Sequence, residues 1–277
     1  MDKRIALRVE HLHISVSTPQ GRKKIVNDVS FDLHQGEILG LVGASGSGKT
    51  MTCLAILGLL QEAAVVEQGA ISLGSQDLLR LQASRMRSVR GREIAVIMQN
   101  PMSAFNPTLT IGHHFIETLR AHKSFSRKEA KELAVTYLAK TGLPHPDKLL
   151  KQYPFQLSGG MLQRVMIAIA MSLQPAVLIA DEPTTALDTT HQVQLLEQMY
   201  RLCQEQQTAM LLVSHDLGVI AYMADRVMVM NQGSIVEQAP VTDLFDRPQH
   251  PYTRMLLQAR PGIPSGAAPA SRGGPYA

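Results

Sequence analysis

The chain has 277 residues, which is enough for one large α/β domain or for a core with a subdomain. Its formal net charge is only +4, so charge alone gives no reason to expect a nucleic-acid partner. The two cysteines, Cys53 and Cys203, match no metal-binding spacing, and we expect both to be reduced core residues of a cytosolic protein. No apolar run approaches the length of a membrane span, so a role at a membrane would need a partner to hold the chain there.

Up to Gln99 the sequence predicts strands that surround one glycine-rich loop. Residues 4–16 and the stretch KIVNDVSFDLHQG are predicted strands, joined by the turn TPQGRK. The short apolar strand EILGLVG runs directly into glycines, and KTMTCLAILGLL predicts a helix that opens there. GAISLGSQDL predicts another strand and turn, and EIAVIMQ predicts a buried strand that ends at Gln99.

From Asn100 to about Pro175 the pattern changes to helices. The clearest helix begins at a capping box formed by Ser126 and Glu129. AVLIADEP and TAMLLVSHD then predict two buried strands that end in polar residues, and RVMVMNQGSIVEQA predicts a hairpin. Apolar strands that alternate with helices favour a mostly parallel sheet with functional residues at the carboxyl ends of its strands.

The stretch GASGSGKT fits the phosphate-loop pattern, and it stands between a predicted strand and a predicted helix, as that pattern requires. Lys49 can neutralise the β- and γ-phosphates of a nucleotide, and the hydroxyl of Thr50 can ligate Mg²⁺. The other candidate phosphate-binding residues are small and let the backbone approach closely: Gly43, Ser45, Gly46, Ser47 and Gly48.

Three other predicted strands also end in polar groups. Asp181 ends AVLIA, where it can hold the Mg²⁺ shell, and Glu182 follows it, where it can orient and polarise an attacking water. Gln99 ends EIAVIM and His215 ends AMLLVS. Taken singly, each is more often a solvated strand end, but in one parallel sheet they would all point at the γ-phosphate.

A second candidate anion site lies at LSGGMLQR. Ser158, Gly159 and Gly160 form a small, donor-rich turn, and the apolar run that follows predicts a helix. A helix N-terminus with free N–H groups favours a negatively charged ligand. Because the chain already has a phosphate loop, this site raises the question of whose phosphate it binds.

The order of these motifs resembles that of the ATP-binding cassette family. The phosphate loop, Gln99, LSGGM, ADEP, TALD and His215 follow one another as in that family, over residues 1 to about 240. The resemblance implies ATP and Mg²⁺ as cofactors, with Thr50, Gln99 and Asp181 at the metal and Glu182, His215 and Gln99 as catalytic residues. It also implies a head-to-tail dimer in which Ser158, Gly159 and Gly160 hold the partner's γ-phosphate and Asp188 links the two sites.

The resemblance also implies a domain organisation. It is an α/β P-loop NTPase (RecA-like) core with an antiparallel β subdomain and an inserted α-helical subdomain. The nucleotide-binding core would be 1–99 with 172–240, and the helical signature subdomain 100–171. Residues 241–260 would form an importer-type segment, and the low-complexity stretch 261–277 a disordered tail.

Two residues depart from the family pattern. Met161 replaces the glutamine that usually follows the signature glycines, which removes one polar group. The family often stacks an aromatic side chain on adenine from its first strands, and the corresponding position here is Val16. The resemblance, with Val16 at this position, therefore implies only apolar contact with the base.

The finer resemblance is to importers. IMQNPMSAFNP and HPYTRMLLQA resemble ATPases of oligopeptide, dipeptide and nickel importers, and SGGMLQR is most similar to the nickel branch. We therefore expect an importer ATPase for nickel or a metal chelate on the cytoplasmic face of the membrane, with a dipeptide or oligopeptide importer as the alternative. The implied partners are a second ATP-binding subunit, two permease subunits and, indirectly, an extracytoplasmic solute-binding protein, with no nucleic acid.

Other functions fit the sequence less well. A cassette ATPase in nucleic-acid or translation work usually carries two cassettes or long coiled coils, and the sequence shows one cassette and no coiled coil. A structural protein with a dead site is disfavoured by the complete set of candidate catalytic residues.

Overall fold

The structure is a computed structural model that describes residues 4–184 and 189–258. The described residues form two compact units, the first made of residues 4–81 and 211–258 and the second of residues 82–184 and 189–210. Asp188 and the predicted tail 261–277 lie outside the described residues. The domain bounds given above stay a prediction.

The first unit contains an antiparallel sheet of four strands in the order β2-β1-β4-β5. Alternate side chains of its long strands are apolar and buried, as at Leu12 and Ile14, and Ile14 pairs with both Val26 and Val66. The strands are β1 (Ile5–Thr18), β2 (Gly21–His34), β4 (Ala64–Leu73) and β5 (Gln76–Asp77).

The same unit contains the strand that leads into the phosphate loop. This strand, β3 (Ile38–Val42), is buried at every residue, as is typical of parallel strands covered on both faces. It runs parallel to β9 (Arg226–Asn231), which forms the predicted hairpin with β10 (Ser234–Pro240). The helices of this unit are α1 (Lys49–Ile56), α8 (Leu217–Met223), α9 (Val241–Asp246) and α10 (Pro251–Gln258).

The second unit combines parallel strands with most of the helices. β6 (Ile94–Ile97) runs parallel to β7 (Val177–Asp181), and the unit boundary falls within β8 (Ala209–Val213). The helices are α2 (Ala83–Val89), α3 (Ile111–His122), α4 (Arg127–Lys140), α5 (Pro146–Leu149), α6 (Gly159–Ser172) and α7 (Thr189–Gln206). The predicted capping box is present at α4, where Glu129 N–H donates to Ser126 Oγ at 3.2 Å and Ser126 N–H donates to the Glu129 carboxylate at 2.8 Å.

The predicted elements are therefore found in the predicted order, with shifted ends. β6 ends at Ile97, two residues before Gln99, because Met98 already turns outward and is 44% exposed. Within residues 4–184 and 189–258, no helix is both long and apolar enough to cross a membrane.

Both cysteines are buried and neither forms a disulfide, as predicted, so we expect neither to react in the native chain. Burial raises the pKa of the Cys203 thiol to about 12, so almost none of it is thiolate, the reactive form, at pH 8. A chromogenic disulfide reagent should detect both thiols in denaturant and neither in the native chain. One fast-reacting thiol per native chain would contradict the described packing.

Candidate functional site

The phosphate loop occupies the turn between β3 and α1, and neighbouring backbone fixes its shape. Gly48 has φ +112°, and a Cβ added there would lie 2.9 Å from the carbonyl oxygen of Ile25 in β2. A Cβ on Gly43 would overlap the carbonyl oxygen of Met230 in β9. Only glycine avoids these collisions, so two of the predicted glycines are required by packing.

The turn between β9 and β10 holds the middle of the loop. Gly233 N–H donates to the carbonyl oxygen of Ser47 at 2.9 Å, and Asn27 N–H donates to the carbonyl oxygen of Gly233 at 2.8 Å. These two bonds connect Ser47 through the hairpin turn to β2. The sequence gives no local sign of this contact, because the three residues are far apart in the chain.

Lys49 turns its ammonium group back into the loop. Its Nζ donates to the carbonyl oxygens of Gly43 at 2.8 Å and Ala44 at 3.0 Å, and the residue is only 9% exposed. A cation enclosed by a glycine-rich backbone is the arrangement that binds nucleotide phosphates. Ser45, Gly46 and Thr50 are exposed at the loop surface, where a ligand could reach them.

The first unit also contains two further predicted site residues. Val16 is half-buried in β1, opposite Lys23 of β2 and Ala64 of β4. His215 lies two residues beyond the end of β8 and is exposed.

In the second unit, two of the predicted catalytic residues are in direct contact. Gln99 Nε2 donates to Glu182 Oε2 at 2.8 Å, although the residues are 83 positions apart. Glu182 follows Asp181, the last residue of β7, and has φ +49°, which is uncommon for a residue with a side chain. Such strained backbone is often kept where it aims a functional group, and here it places the carboxylate beside the Gln99 amide.

The signature turn begins α6 as predicted. Ser158 is the N-cap residue, its hydroxyl accepts a hydrogen bond from Met161 N–H at 3.3 Å, and both Ser158 and Gly159 are exposed. This helix has 14 residues, so its dipole contributes positive potential at the exposed end. An anion could therefore approach this turn from outside the chain.

Arg164 fixes the orientation of the signature helix within its unit. Its guanidinium donates to the carbonyl oxygen of Thr141, the C-cap residue of α4, at 2.9 Å, and to the side-chain oxygens of Gln194 and Gln198 in α7. Burial lowers the pKa of this guanidinium, and these acceptors compensate for its partial removal from water. Helix α7 begins directly after residues 185–188, the segment that contains Asp188. Arg164 therefore connects α6 to the helix that follows this segment.

The predicted site residues therefore divide between the two units. The loop residues Gly43 to Thr50, Val16 and His215 belong to the first, while Gln99, Asp181, Glu182 and the signature turn belong to the second. Asp188 lies outside the described residues. Sequence reasoning missed Tyr252 of α10, whose hydroxyl oxygen accepts a hydrogen bond from Ala44 N–H in the loop at 3.1 Å.

Two loop glycines give a matched test of this packing. Gly46 also has positive φ, but a Cβ there would meet nothing within 4 Å, whereas Gly48 faces Ile25. Both alanine variants carry backbone strain, and only Gly48→Ala adds a collision. We expect Gly48→Ala to lower the free energy of unfolding by about 1–3 kcal/mol more than Gly46→Ala, measured by urea titration without nucleotide. Equal losses would show that β2 and β9 do not constrain the loop.

Comparison with known proteins identifies the relatives of this chain. The family model for the ABC transporter matches residues 26–185, and the model for the oligopeptide/dipeptide transporter C-terminal region matches residues 236–274. The dipeptide transport ATP-binding protein DppD of Bacillus subtilis (strain 168) is 46% identical over 93% of this chain and 77% of that protein. The oligopeptide transport ATP-binding protein AppD of the same organism is 49% identical over 86% of this chain and 73% of that protein.

A solved structure confirms the fold class. The dimeric structure of a post-hydrolysis state of the ATP-binding cassette MJ0796, bound to ADP and Pi, superposes with a TM-score of 0.76. The superposition covers 85% of this chain and 98% of that one, at 22% sequence identity. The fold is thus that of a P-loop NTPase cassette, as predicted. With a family model over more than half of its length and relatives that it matches along most of theirs, the chain belongs to the ABC transporter family and is an ATP-hydrolysing ATPase.

Proposed function

We propose that the chain is the ATPase subunit of an importer for dipeptides or oligopeptides. The observation that carries this proposal is the C-terminal match: residues 236–274 fit the model named for oligopeptide and dipeptide transporters. The relatives described above, which match most of the chain, are named for dipeptide and oligopeptide transport. Both observations favour a dipeptide or oligopeptide importer, the alternative drawn from the sequence, over an importer of nickel or a metal chelate.

The nickel assignment has no support beyond the sequence of the signature. It depended on Met161 and Leu162 in SGGMLQR, and Leu162 is fully buried within α6. A buried apolar residue of a helix reports on packing and carries no information about a transported ion. We therefore propose peptides, and neither nickel nor a metal chelate, as the cargo.

Chemically, the site residues suit ATP with Mg²⁺. Lys49 supplies a fixed positive charge for the phosphates, and Thr50, Asp181 and Gln99 each offer an oxygen of the kind that Mg²⁺ prefers. Gln99 uses its amide nitrogen to contact Glu182, so its carbonyl oxygen remains for a cation. A bound Mg²⁺ would neutralise charge on the phosphate oxygens during transfer.

We assign to Glu182 the task of orienting and polarising the attacking water. Gln99 holds one of its carboxylate oxygens, which fixes the direction of the other. His215, at the end of β8, is assigned to the γ-phosphate side of the site. Val16 would contribute only apolar contact to the base.

Replacing the carboxylate alone should separate binding from turnover. Glu182→Gln preserves size and is expected to bind MgATP like the wild type while losing turnover by about two to four orders of magnitude. Glu132→Gln is the matched control, because Glu132 is exposed on α4 and pairs only loosely with Lys128 at 4.0 Å. Steady-state hydrolysis and MgATP titration measure the two effects. If Glu182→Gln turned over ATP as fast as Glu132→Gln, Glu182 would not be the residue that polarises the attacking water.

The signature turn is proposed to bind a phosphate held by another subunit. It is exposed and rich in donors, and the chain's own loop already encloses a lysine for its own nucleotide. Two cassettes arranged head to tail would each place a signature turn over the other's γ-phosphate. The second subunit could be a copy or a sibling, and two permease subunits with a solute-binding protein would complete the importer at the cytoplasmic face of the membrane.

The N-cap serines of α6 and α4 allow a controlled test of whether the signature turn binds the partner's phosphate. Ser158→Arg and Ser126→Arg each remove an exposed N-cap hydroxyl of similar geometry, at 3.3 and 3.2 Å from the backbone nitrogen that donates to it. Only Ser158→Arg should block closure over the partner's nucleotide, while nucleotide binding at its own loop persists. Crosslinking of an ATP analogue in complexes with one variant subunit reports which loop is affected. Loss of crosslinking only at the variant's own loop would contradict binding of the partner's phosphate by this turn.

Uptake by cells tests the cargo directly. In cells that carry Glu182→Gln in place of the wild-type chain, uptake of a labelled dipeptide or oligopeptide should fall, and uptake of labelled nickel should not. Cells with Glu132→Gln should behave like the wild type in both assays. Loss of nickel uptake with intact peptide uptake would contradict the proposal and indicate nickel as the cargo.

A further inference from the structure

A segment near the C-terminal end of the described residues contacts the phosphate loop. The hydroxyl oxygen of Tyr252, in the first turn of α10, accepts a hydrogen bond from Ala44 N–H at 3.1 Å. The two residues are 208 positions apart, and both belong to the first unit. Tyr252 lies within residues 236–274, the region that matches the oligopeptide/dipeptide transporter model.

With this bond, both backbone polar groups of Ala44 are hydrogen-bonded. The carbonyl oxygen of Ala44 accepts hydrogen bonds from Lys49 Nζ at 3.0 Å and from Ser47 N–H at 3.2 Å. With Tyr252 on its N–H, Ala44 is held through both of its backbone polar groups. The orientation of Ala44 is coupled to that of Lys49, the cation of the loop.

Tyr252 is itself held by the strand before it. The carboxylate of Glu237, in β10, accepts hydrogen bonds from Gln249 N–H at 2.7 Å and His250 N–H at 2.9 Å. Tyr252 N–H then donates to His250 Nδ1 at 3.1 Å. Burial opposes the charge of Glu237, but these backbone donors, together with the neighbouring Thr253 and His250 side chains, hold the pKa of the carboxyl below its usual value.

We propose that Tyr252 is a positioning residue for nucleotide binding, which sets the phosphate loop in its binding conformation through Ala44. This inference rests on the assignment of residues 43–50 as the ATP site. A loop held in the bound shape loses less conformational freedom when the ligand arrives, so it binds more tightly. The C-terminal segment therefore tunes nucleotide affinity and takes no part in the chemical step.

The test removes only the hydroxyl. Tyr252→Phe keeps the ring and deletes the acceptor for Ala44 N–H. Tyr137→Phe is the matched control, because its hydroxyl also accepts one hydrogen bond, from Gln206 Nε2 at 3.0 Å, in the second unit. MgADP is a suitable probe for the full-length chain, since it occupies the loop without being turned over.

The expected result is a change in affinity alone. Tyr252→Phe should weaken MgADP binding by about three- to tenfold, the net value of one hydrogen bond. It should raise the KM for ATP by the same factor and keep kcat within about twofold. Tyr137→Phe should change neither constant. Because wild-type turnover is measured in the same assay, a chain without ATPase activity would be recognised separately from a failure of this inference.

A second variant tests whether Glu237 of β10 holds Tyr252 in position. Glu237→Ala removes the acceptor for Gln249 and His250, so Tyr252 should lose its fixed position and MgADP binding should weaken. In the Tyr252→Phe background the same change should add little, because the hydroxyl through which it acts is already gone. Unchanged affinity in Tyr252→Phe, a fall in kcat without a change in KM, or full additivity of the two variants would overturn the proposal.

Discussion

The site depends on the enclosure of the phosphate loop by backbone from distant parts of the chain. Gly43 lies against the carbonyl of Met230 in β9, Gly48 against the carbonyl of Ile25 in β2, and Ser47 receives the N–H of Gly233. These contacts leave the loop little freedom before any ligand arrives. They also explain why β2 and the hairpin of β9 and β10 belong to the first unit together with β3 and α1. A loop of this sequence without these neighbours would have to be ordered by the nucleotide itself, at a cost in affinity.

The second unit supplies chemistry of a different kind. Its contributions are a carboxylate in strained backbone, Glu182, an amide that holds it, Gln99, and an exposed helix start at Ser158. Arg164 connects the signature helix to α4 through the buried carbonyl oxygen of Thr141 and to α7 through a partly buried glutamine side chain.

Much of this could be predicted from local patterns. The phosphate loop is recognisable because strand, glycines, lysine and helix are adjacent in sequence, and Asp181 with Glu182 stand out because polar residues follow an apolar strand. The strand before Gln99 was predicted to end two residues too late, since Met98 is apolar and yet exposed. The contact of Tyr252 with Ala44 could not be predicted, because no pattern of spacing links residues 208 positions apart. The comparisons do not support the preference for nickel over peptides, which depended in part on Leu162, a packing residue of α6.

The central claim is that Lys49, held inside the loop, provides the charge that binds nucleotide phosphates. Titration calorimetry of MgATP into the full-length chain and Lys49→Met, which keeps the length of the side chain and removes its charge, tests this claim most directly. Lys24→Met, at an exposed position of β2 in the same unit, is the control. The account predicts that the control binds like the wild type and that Lys49→Met binds at least about tenfold more weakly, as expected when a charged hydrogen-bond donor is lost. Wild-type affinity in Lys49→Met would contradict it.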